Sequence, residues 1–225
     1  MVNIYLIPEW FFGLDLGMEF LTAIITIAIA ISAIKIYKMT GDAPIKRFGL
    51  GFLMIGISFT IWAFAELFLI KSLDNGFRGI ILERLQDFQI LGIYAHIIFF
   101  IAGLVTLTYA TFKINKDGVY YLLLGLSLLV MAVSLNKMIT MNILSVFLLS
   151  FIAYHYFTEW RANRNKNTCK IFVAFLLLVF SNLSLIFSDY SMYTYVISHS
   201  LEVIAYLIML QTLICTLKHN GKKEK

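Results

Sequence analysis

The sequence predicts an all-α membrane protein, a bundle of seven transmembrane helices, from its composition, its apolar runs and the placement of its basic residues. The chain is 60% hydrophobic with a mean hydropathy of +0.86, and only 14% of its residues are charged. Such a chain has too few charges to cover its surface in water, so its apolar side chains must face lipid. We therefore expect a multi-pass protein of the cell membrane that is surrounded by lipids.

The apolar runs set the number of spans, since about 20 apolar residues cross a bilayer core. Seven segments come close to that length, and together they form a single membrane domain over residues 1–225. The expected spans cover approximately residues 16–37, 48–70, 89–112, 119–136, 139–158, 171–188 and 192–217.

Spans one to three each carry polar residues, and the ionisable ones lie near the end that we expect to face the exterior. By span, the sets are Asp15 and Glu19; Ser58, Trp62 and Glu66; and Gln89 and His96 with the glycines Gly92 and Gly103. Their spacing of three, four or seven residues puts most members of each set on one face of a helix. The two glycines of span three should let a neighbouring helix approach closely.

Spans four and five need separating, because residues 118–158 are almost continuously apolar. Asn136 and Lys137 form the strong polar interruption of this stretch and predict a tight turn. In the last two spans, the polar residues are Ser181, Asn182, Ser184 and Asp189 in or after span six, and Tyr195, His199, Glu202 and Tyr206 along one stripe of span seven. We expect the span-six residues to bond between helices. His155, in span five, is expected to lie at the interface on the opposite side.

The basic residues predict the orientation. Fourteen of the 18 Lys and Arg residues fall in the connections on one side or in the tail, and four fall on the other side. Because cytoplasmic loops are rich in Lys and Arg, the N-terminus should lie outside and the C-terminus inside, with residues 218–225 as a basic cytoplasmic tail. This distribution explains the net charge of +5 without a nucleic-acid partner.

Two segments on the outer side should lie in the membrane interface. Trp10, Phe11 and Phe12 predict an aromatic anchor, and residues 76–87 alternate apolar and charged side chains as an amphipathic surface helix would. A loop is the alternative for the second segment.

A gapless shift of the sequence suggests an internal repeat. A shift of 123 residues aligns Met18 with Met141 and Ala30 with Ala153, and a shift of 103 residues aligns His96 with His199. A three-plus-one-plus-three plan with parallel repeats would follow. The alternative is that apolar composition produces such matches by coincidence.

Four ionisable residues on three spans form the candidate site, namely Glu66, His96, His199 and Glu202. Ionisable groups inside a bilayer are costly and usually face the interior of the bundle, so these residues should share a pocket open to the outside. The aromatic residues expected beside them are Trp62, Tyr195 and Tyr206.

This pattern fits four kinds of site. The residues could only fasten helices by hydrogen bonds, or form a ligand or proton site, since histidine beside acids titrates near neutral pH. They could instead bind zinc or another divalent metal through His96, His199, Glu202 and Glu66. Haem b between the two histidines is the fourth interpretation.

Some families are excluded by missing residues. Microbial rhodopsins need a lysine in the seventh helix to bind retinal, and residues 196–217 contain none, so we expect no retinal. The chain also lacks a GxSxG motif, which leaves serine hydrolase chemistry unsupported.

Three stretches carry a family resemblance: SHSLEVIAYLIMLQTL in span seven, YAHIIFFIAGLVTL in span three, and YKMTGDAPIKRFGLGFLMIGISF between spans one and two. Here the chain resembles the seven-helix sensory modules that precede histidine kinases and diguanylate cyclases. The resemblance implies an outer pocket whose occupancy shifts helix positions. Because only residues 218–225 follow the last span, such a sensor is expected to signal through a separate cytoplasmic partner.

The leading functional hypothesis is therefore a non-enzymatic membrane sensor or receptor-like protein with a His/Glu pocket in the outer half of the bilayer. A transporter of a small solute, ion or proton is the first alternative, because a duplicated bundle and a buried acid suit coupled transport. A metal-binding membrane hydrolase is the second alternative.

Overall fold

The computed structural model describes residues 12–74, 80–113, 116–188 and 192–221, and the elements in these ranges are all α-helices. There are seven in the described part of the chain: α1 (Phe12–Thr40), α2 (Ala43–Asp74), α3 (Ile80–Thr111), α4 (Asp117–Val133), α5 (Lys137–Asn163), α6 (Lys166–Ile186) and α7 (Met192–Gly221). The predicted all-α class is thus confirmed.

Six of these helices, all except α4, are long and apolar enough to cross a membrane. They are the helices of a multi-pass membrane protein. Helix α4 is also apolar but has only 17 residues. At 1.5 Å per residue it is about 26 Å long, slightly less than a hydrocarbon core of about 30 Å.

The chain leaves α4 earlier than the sequence suggested, because Ser134 takes an extended conformation with φ −64° and ψ 138°. The predicted turn at Asn136 and Lys137 forms the start of α5. The Asn136 side chain accepts a hydrogen bond from the backbone N–H of Ile139, and Lys137 Nζ donates to three carbonyl groups at the end of α4. Both side chains satisfy backbone groups that a helix end leaves unpaired.

The interfacial segments predicted from the sequence fall largely outside the described residues. Trp10, Phe11 and residues 76–79 are among those outside, as are the side chains of Phe12 and of residues 80–89. The backbone of residues 80–87 continues directly into α3, so this part is the first section of a long helix rather than a separate one.

Six helices close a ring. Helices α1, α2, α3, α5, α6 and α7 pack side by side in that order, and α7 also packs against α1. Helix α4 lies outside this ring, and among the described helices it packs against α3 and α5 alone. Consequently most of its surface is exposed, and only Ser127 and Met131 are buried.

Helices α2 and α3 pack most tightly where two glycines face each other. A Cβ atom on Gly103 would lie 2.8 Å from the carbonyl oxygen of Gly51, and one on Gly51 would lie 3.0 Å from that of Gly103. About three turns away along α3, a Cβ atom on Gly92 would lie 2.9 Å from the Cβ of Ala65. The close approach expected from the span-three glycines is confirmed, and it sets the distance between the polar residues of α2 and α3.

The ring has two chemically different ends. At one end α1, α3, α5 and α7 begin, and we call it the acidic end because it holds Asp15, Glu19 and Glu66. We call the opposite end the basic end; it holds Lys46 and Arg164, where α2 and α6 begin.

Aromatic side chains fill the ring between the two ends. The ring centroid of Tyr206 on α7 lies 6.2 Å from that of Phe52 and 6.3 Å from that of Phe59, both on α2. Phe59 in turn contacts Phe100 on α3 at 5.8 Å. These side chains are almost completely buried, so they form an aromatic plug across the interior of the ring.

Candidate functional site

Three carboxylates meet at the acidic end of the ring. Asp15 and Glu19 lie one turn apart on α1, and Glu66 comes from the neighbouring helix α2. One oxygen of each lies within 4.8 Å of the others. Asp15 is only 1% exposed and Glu19 only 2%, whereas Glu66 is half-buried. We call these three residues the carboxylate cluster.

Asp15 links the carboxylate cluster to α7. The hydroxyl group of Tyr195 donates a hydrogen bond of 2.6 Å to Asp15 Oδ2. Nε2 of His199 lies 3.6 Å from the other oxygen, Oδ1, which has no hydrogen-bond partner. Tyr195 and His199 also touch each other, with 4.6 Å between ring centroids.

His199 stands between two acids. Its second ring nitrogen, Nδ1, lies 3.8 Å from Glu202 Oε2, one turn along α7. The side chain of His199 is 11% exposed and that of Glu202 is 8% exposed. Among the described residues, His199 is the basic side chain that lies within 4.0 Å of Asp15 and Glu202.

Trp62 connects the carboxylate cluster to α3. Its indole ring lies beside the carboxylates of Glu19 and Glu66, and the indole N–H is the polar group that it offers them. Its ring also packs against that of His96, with centroids 5.0 Å apart. Trp62 therefore separates the acids from His96 on α3.

His96 is held by α2 rather than by the acids. Its Nδ1 lies 2.8 Å from Ser58 Oγ and 3.1 Å from the Ser58 carbonyl oxygen, while the Ser58 hydroxyl donates to the His96 carbonyl oxygen at 2.9 Å. The imidazole also stacks on Phe100 at 5.8 Å and meets the edge of Phe59 at 5.9 Å. These contacts orient Nδ1 towards Ser58 and fasten α3 to α2.

The structure thus divides the predicted site residues between two neighbouring groups. Glu66 belongs to the carboxylate cluster, and Tyr195, His199 and Glu202 extend from it along α7. His96 belongs to a separate group with Ser58 and Phe100, on the other side of Trp62. Tyr206 is part of the aromatic plug, directly below Glu202 on α7.

Sequence reasoning underestimated Asp15 and Glu19, which it placed at the mouth of span one as additional acids. They lie at the centre because the start of α1 packs between α2 and α7. A signal was present: two acids four residues apart share one helix face, and that face contains few other charges. Asp189, which the sequence places at the end of span six, lies outside the described residues.

Polar residues elsewhere have local roles. Ser181 on α6 bonds across to Ser198 on α7 at 3.0 Å, the interhelical bond that the sequence predicted. Asn182 instead donates to the Leu178 carbonyl of its own helix. His155 lies 4.0 Å from Glu159 and is partly exposed near the basic end.

The arrangement concentrates negative charge in a nearly closed space. Carboxylates this close together need a cation or shared protons to balance their charge. The site can therefore respond to a small cationic species, and a neutral apolar ligand would leave the acids unbalanced.

Comparison of the chain with protein-family models, with curated proteins and with solved structures found no match.

Proposed function

We propose that the protein is a non-enzymatic membrane sensor or receptor-like protein whose pocket at the acidic end faces the exterior. The observation that carries this proposal is a polar layer at one end of the ring with an aromatic layer directly below it. Ionisable groups of α1, α2 and α7 converge at the acidic end, and the buried rings of the aromatic plug lie beneath them. A polar layer that ends on packed aromatic rings suits binding better than passage.

The contacts of Asp15 suggest how occupancy would act on the bundle. This carboxylate holds α7 through Tyr195 and His199, and it faces α2 through Glu66. A ligand that competes for the Asp15 oxygens changes the attraction between α1 and α7. Because helices are stiff, a shift at one end of α7 is passed to its basic end, where a cytoplasmic partner would detect it.

The orientation and the seventh crossing belong to the proposal. With α4 crossing the bilayer and the N-terminus outside, Leu135 lies outside and Lys116, at the other end of α4, lies inside. In a Cys169→Ser, Cys215→Ser background, a membrane-impermeant maleimide should label Leu135→Cys on intact cells. Lys116→Cys should react only after permeabilisation. Labelling of both positions from the same side would contradict the seven-crossing topology.

The signalling step can be tested with a reporter far from the pocket. In a Cys169→Ser variant, the exposed Cys215 on α7 takes an environment-sensitive fluorophore. We expect His199→Gln to shift its emission, because this change alters both contacts of the imidazole with acids. Ser145→Ala is the control, since that hydroxyl bonds within its own helix to the Met141 carbonyl oxygen. Emission unchanged by His199→Gln would refute transmission along α7.

Transport is the alternative that a specific observation favours. Helices α1–α3 and α5–α7 form two halves of the ring with the same order of neighbours, as a duplicated transporter would have. Purified protein in proteoliposomes distinguishes the two. A carrier should move protons or sodium ions and lose that flux in Glu202→Gln, whereas a sensor should show no flux above protein-free vesicles.

A further inference from the structure

We propose that the pocket binds a divalent transition-metal ion, with Asp15, Glu19 and Glu66 as oxygen ligands and His199 Nε2 as the nitrogen ligand. This inference rests on the proposed function and names the chemical class of its ligand. It also replaces the ligand set expected from the sequence, in which His96 and Glu202 were ligands.

The spacing of the carboxylates suits an ion between them. Zinc–oxygen bonds are about 2.0–2.2 Å long, so two ligand oxygens of a tetrahedral site lie about 3.4 Å apart. The three carboxylates offer oxygens within 4.8 Å of one another. Inward shifts of up to about 1 Å, which changes of rotamer in Glu19 and Glu66 can supply, would bring these oxygens to bonding distance.

Unpaired oxygens are the second, independent observation. Asp15 Oδ1 and Glu19 Oε2 have no hydrogen-bond partner, although their side chains are 99% and 98% buried. A buried acceptor without a partner is costly, and such groups in proteins usually have a water or an ion as their partner. A metal ion at the centre of the cluster would give both carboxylates a positively charged partner.

His199 lies beside the carboxylate cluster, on the side of Asp15, and its Nε2 would move towards an ion held by the three carboxylates. His199 Nε2 faces Asp15 Oδ1 at 3.6 Å, too far for a hydrogen bond. Its Nδ1 faces Glu202 Oε2 at 3.8 Å. Metal-binding histidines commonly present their other nitrogen to a carboxylate, which fixes the tautomer and makes the imidazole a better donor. Glu202 is therefore a positioning residue, and Tyr195 has a similar role towards Asp15 through its hydrogen bond.

The donor types narrow the choice of ion. Three carboxylate oxygens and one imidazole nitrogen suit zinc or manganese better than calcium, which prefers six to eight oxygens. Glu19 and Asp15 are so completely enclosed that an ion fits among them with small adjustments, whereas an organic cation would have to displace α1 from α7.

The test uses the full chain purified in detergent, stripped with EDTA and titrated with zinc chloride or manganese chloride. We expect one ion per chain by elemental analysis and saturable binding by calorimetry. Glu19→Gln keeps the side-chain volume and should weaken binding by more than about 100-fold, because even outer partners of metal ligands contribute about 10–100-fold. Glu159→Gln, an exposed acid near the basic end, is the control and should bind as the wild type does.

Helical content by circular dichroism identifies variants that fail to fold, and Glu66→Gln, which is only half-buried, then replaces Glu19→Gln. Glu202→Gln should weaken binding about 10–100-fold while retaining the stoichiometry, as expected of a positioning residue. Absence of saturable binding, or equal affinity in Glu19→Gln and wild type, would overturn the metal site.

The Cys215 reporter separates this inference from the proposed function. Metal that binds with one ion per chain but leaves the Cys215 emission unchanged would support the metal site and contradict the sensor. An emission shift in His199→Gln together with no metal binding would support the sensor and refute the metal site.

Discussion

Replacing Gly103 with alanine tests how closely α2 and α3 approach each other. This contact holds Ser58 against His96 and keeps Glu66 beside α1, so the candidate site depends on it. The added Cβ would lie 2.7 Å from Ile55 Cγ1, 2.8 Å from the Gly51 carbonyl oxygen and 3.2 Å from the Ile55 backbone nitrogen. The last two are backbone atoms, which cannot move aside as a flexible side chain can.

The expected loss of folding stability follows from these distances. The Cβ would lie about 0.6 Å inside the 3.4 Å of an ordinary contact, so the two helices must separate. Overpacking of this kind costs about 1–3 kcal/mol. Alanine also gains about 1 kcal/mol of helix propensity over glycine. Gly125→Ala in α4 is a matched control for that gain, because nothing lies within 4 Å of its added Cβ.

The assay is unfolding of the purified protein by increasing amounts of SDS in mixed micelles, followed by circular dichroism. We expect Gly103→Ala to be less stable than Gly125→Ala by about 1–3 kcal/mol, the overpacking cost that remains after the shared propensity gain is removed. Gly51→Ala should fall between them, because the nearest backbone atom to its added Cβ, the Gly103 carbonyl oxygen, lies at 3.0 Å rather than 2.8 Å. Equal stability of the Gly103 and Gly125 variants would refute the close approach of the two helices.

Three further predictions concern single contacts. Ser58→Ala should cost about 0.6 kcal/mol, and at most about 1.7, in the same unfolding assay, because His96 keeps its contact with the Ser58 carbonyl oxygen; a larger loss would mean that the hydroxyl alone holds α3. Lys137→Met should speed hydrogen exchange at the end of α4 by up to about fivefold, because a cation at a helix C-terminus contributes about 0.3–1 kcal/mol. Unchanged exchange would show that the three contacts of Lys137 with carbonyl groups do not stabilise the helix. Tyr195→Phe should lower zinc affinity by about tenfold by removing the hydrogen bond to Asp15, and unaltered calorimetric affinity would exclude that positioning role.

The sequence predicted the helices well where neighbouring residues alone determine the structure. The apolar runs located the helices, and the glycines at positions 92 and 103 predicted a close neighbour, which the structure identifies as α2. The break before α5 was also visible, because Asn136 is a strong helix N-cap residue. The end of α4 was placed too late, since residues 134 and 135 are compatible with a helix and only the conformation of the turn excludes them.

The candidate site was predicted in part, for a physical reason that His96 illustrates. Its spacing with Gly92 placed it on an inward face of span three, but spacing does not say which neighbour the imidazole meets. Ser58 and Trp62 contact the imidazole of His96, and the acids lie on the other side of the indole ring. Asp15 and Glu19 were judged by their distance from the end of a span, although it is the packing of α1 between α2 and α7 that brings them together.

The sequence by itself determined that the chain is helical and apolar enough for a membrane, because hydropathy and helix period are properties of neighbouring residues. It also determined which side chains are costly to place in lipid and must find partners. Only the tertiary structure decided which partners these side chains have: Asp15 lies against α7, and His96 lies behind Trp62. It also placed α4 outside the ring. These depend on the rotation and order of helices, which follow from packing between residues far apart in the chain.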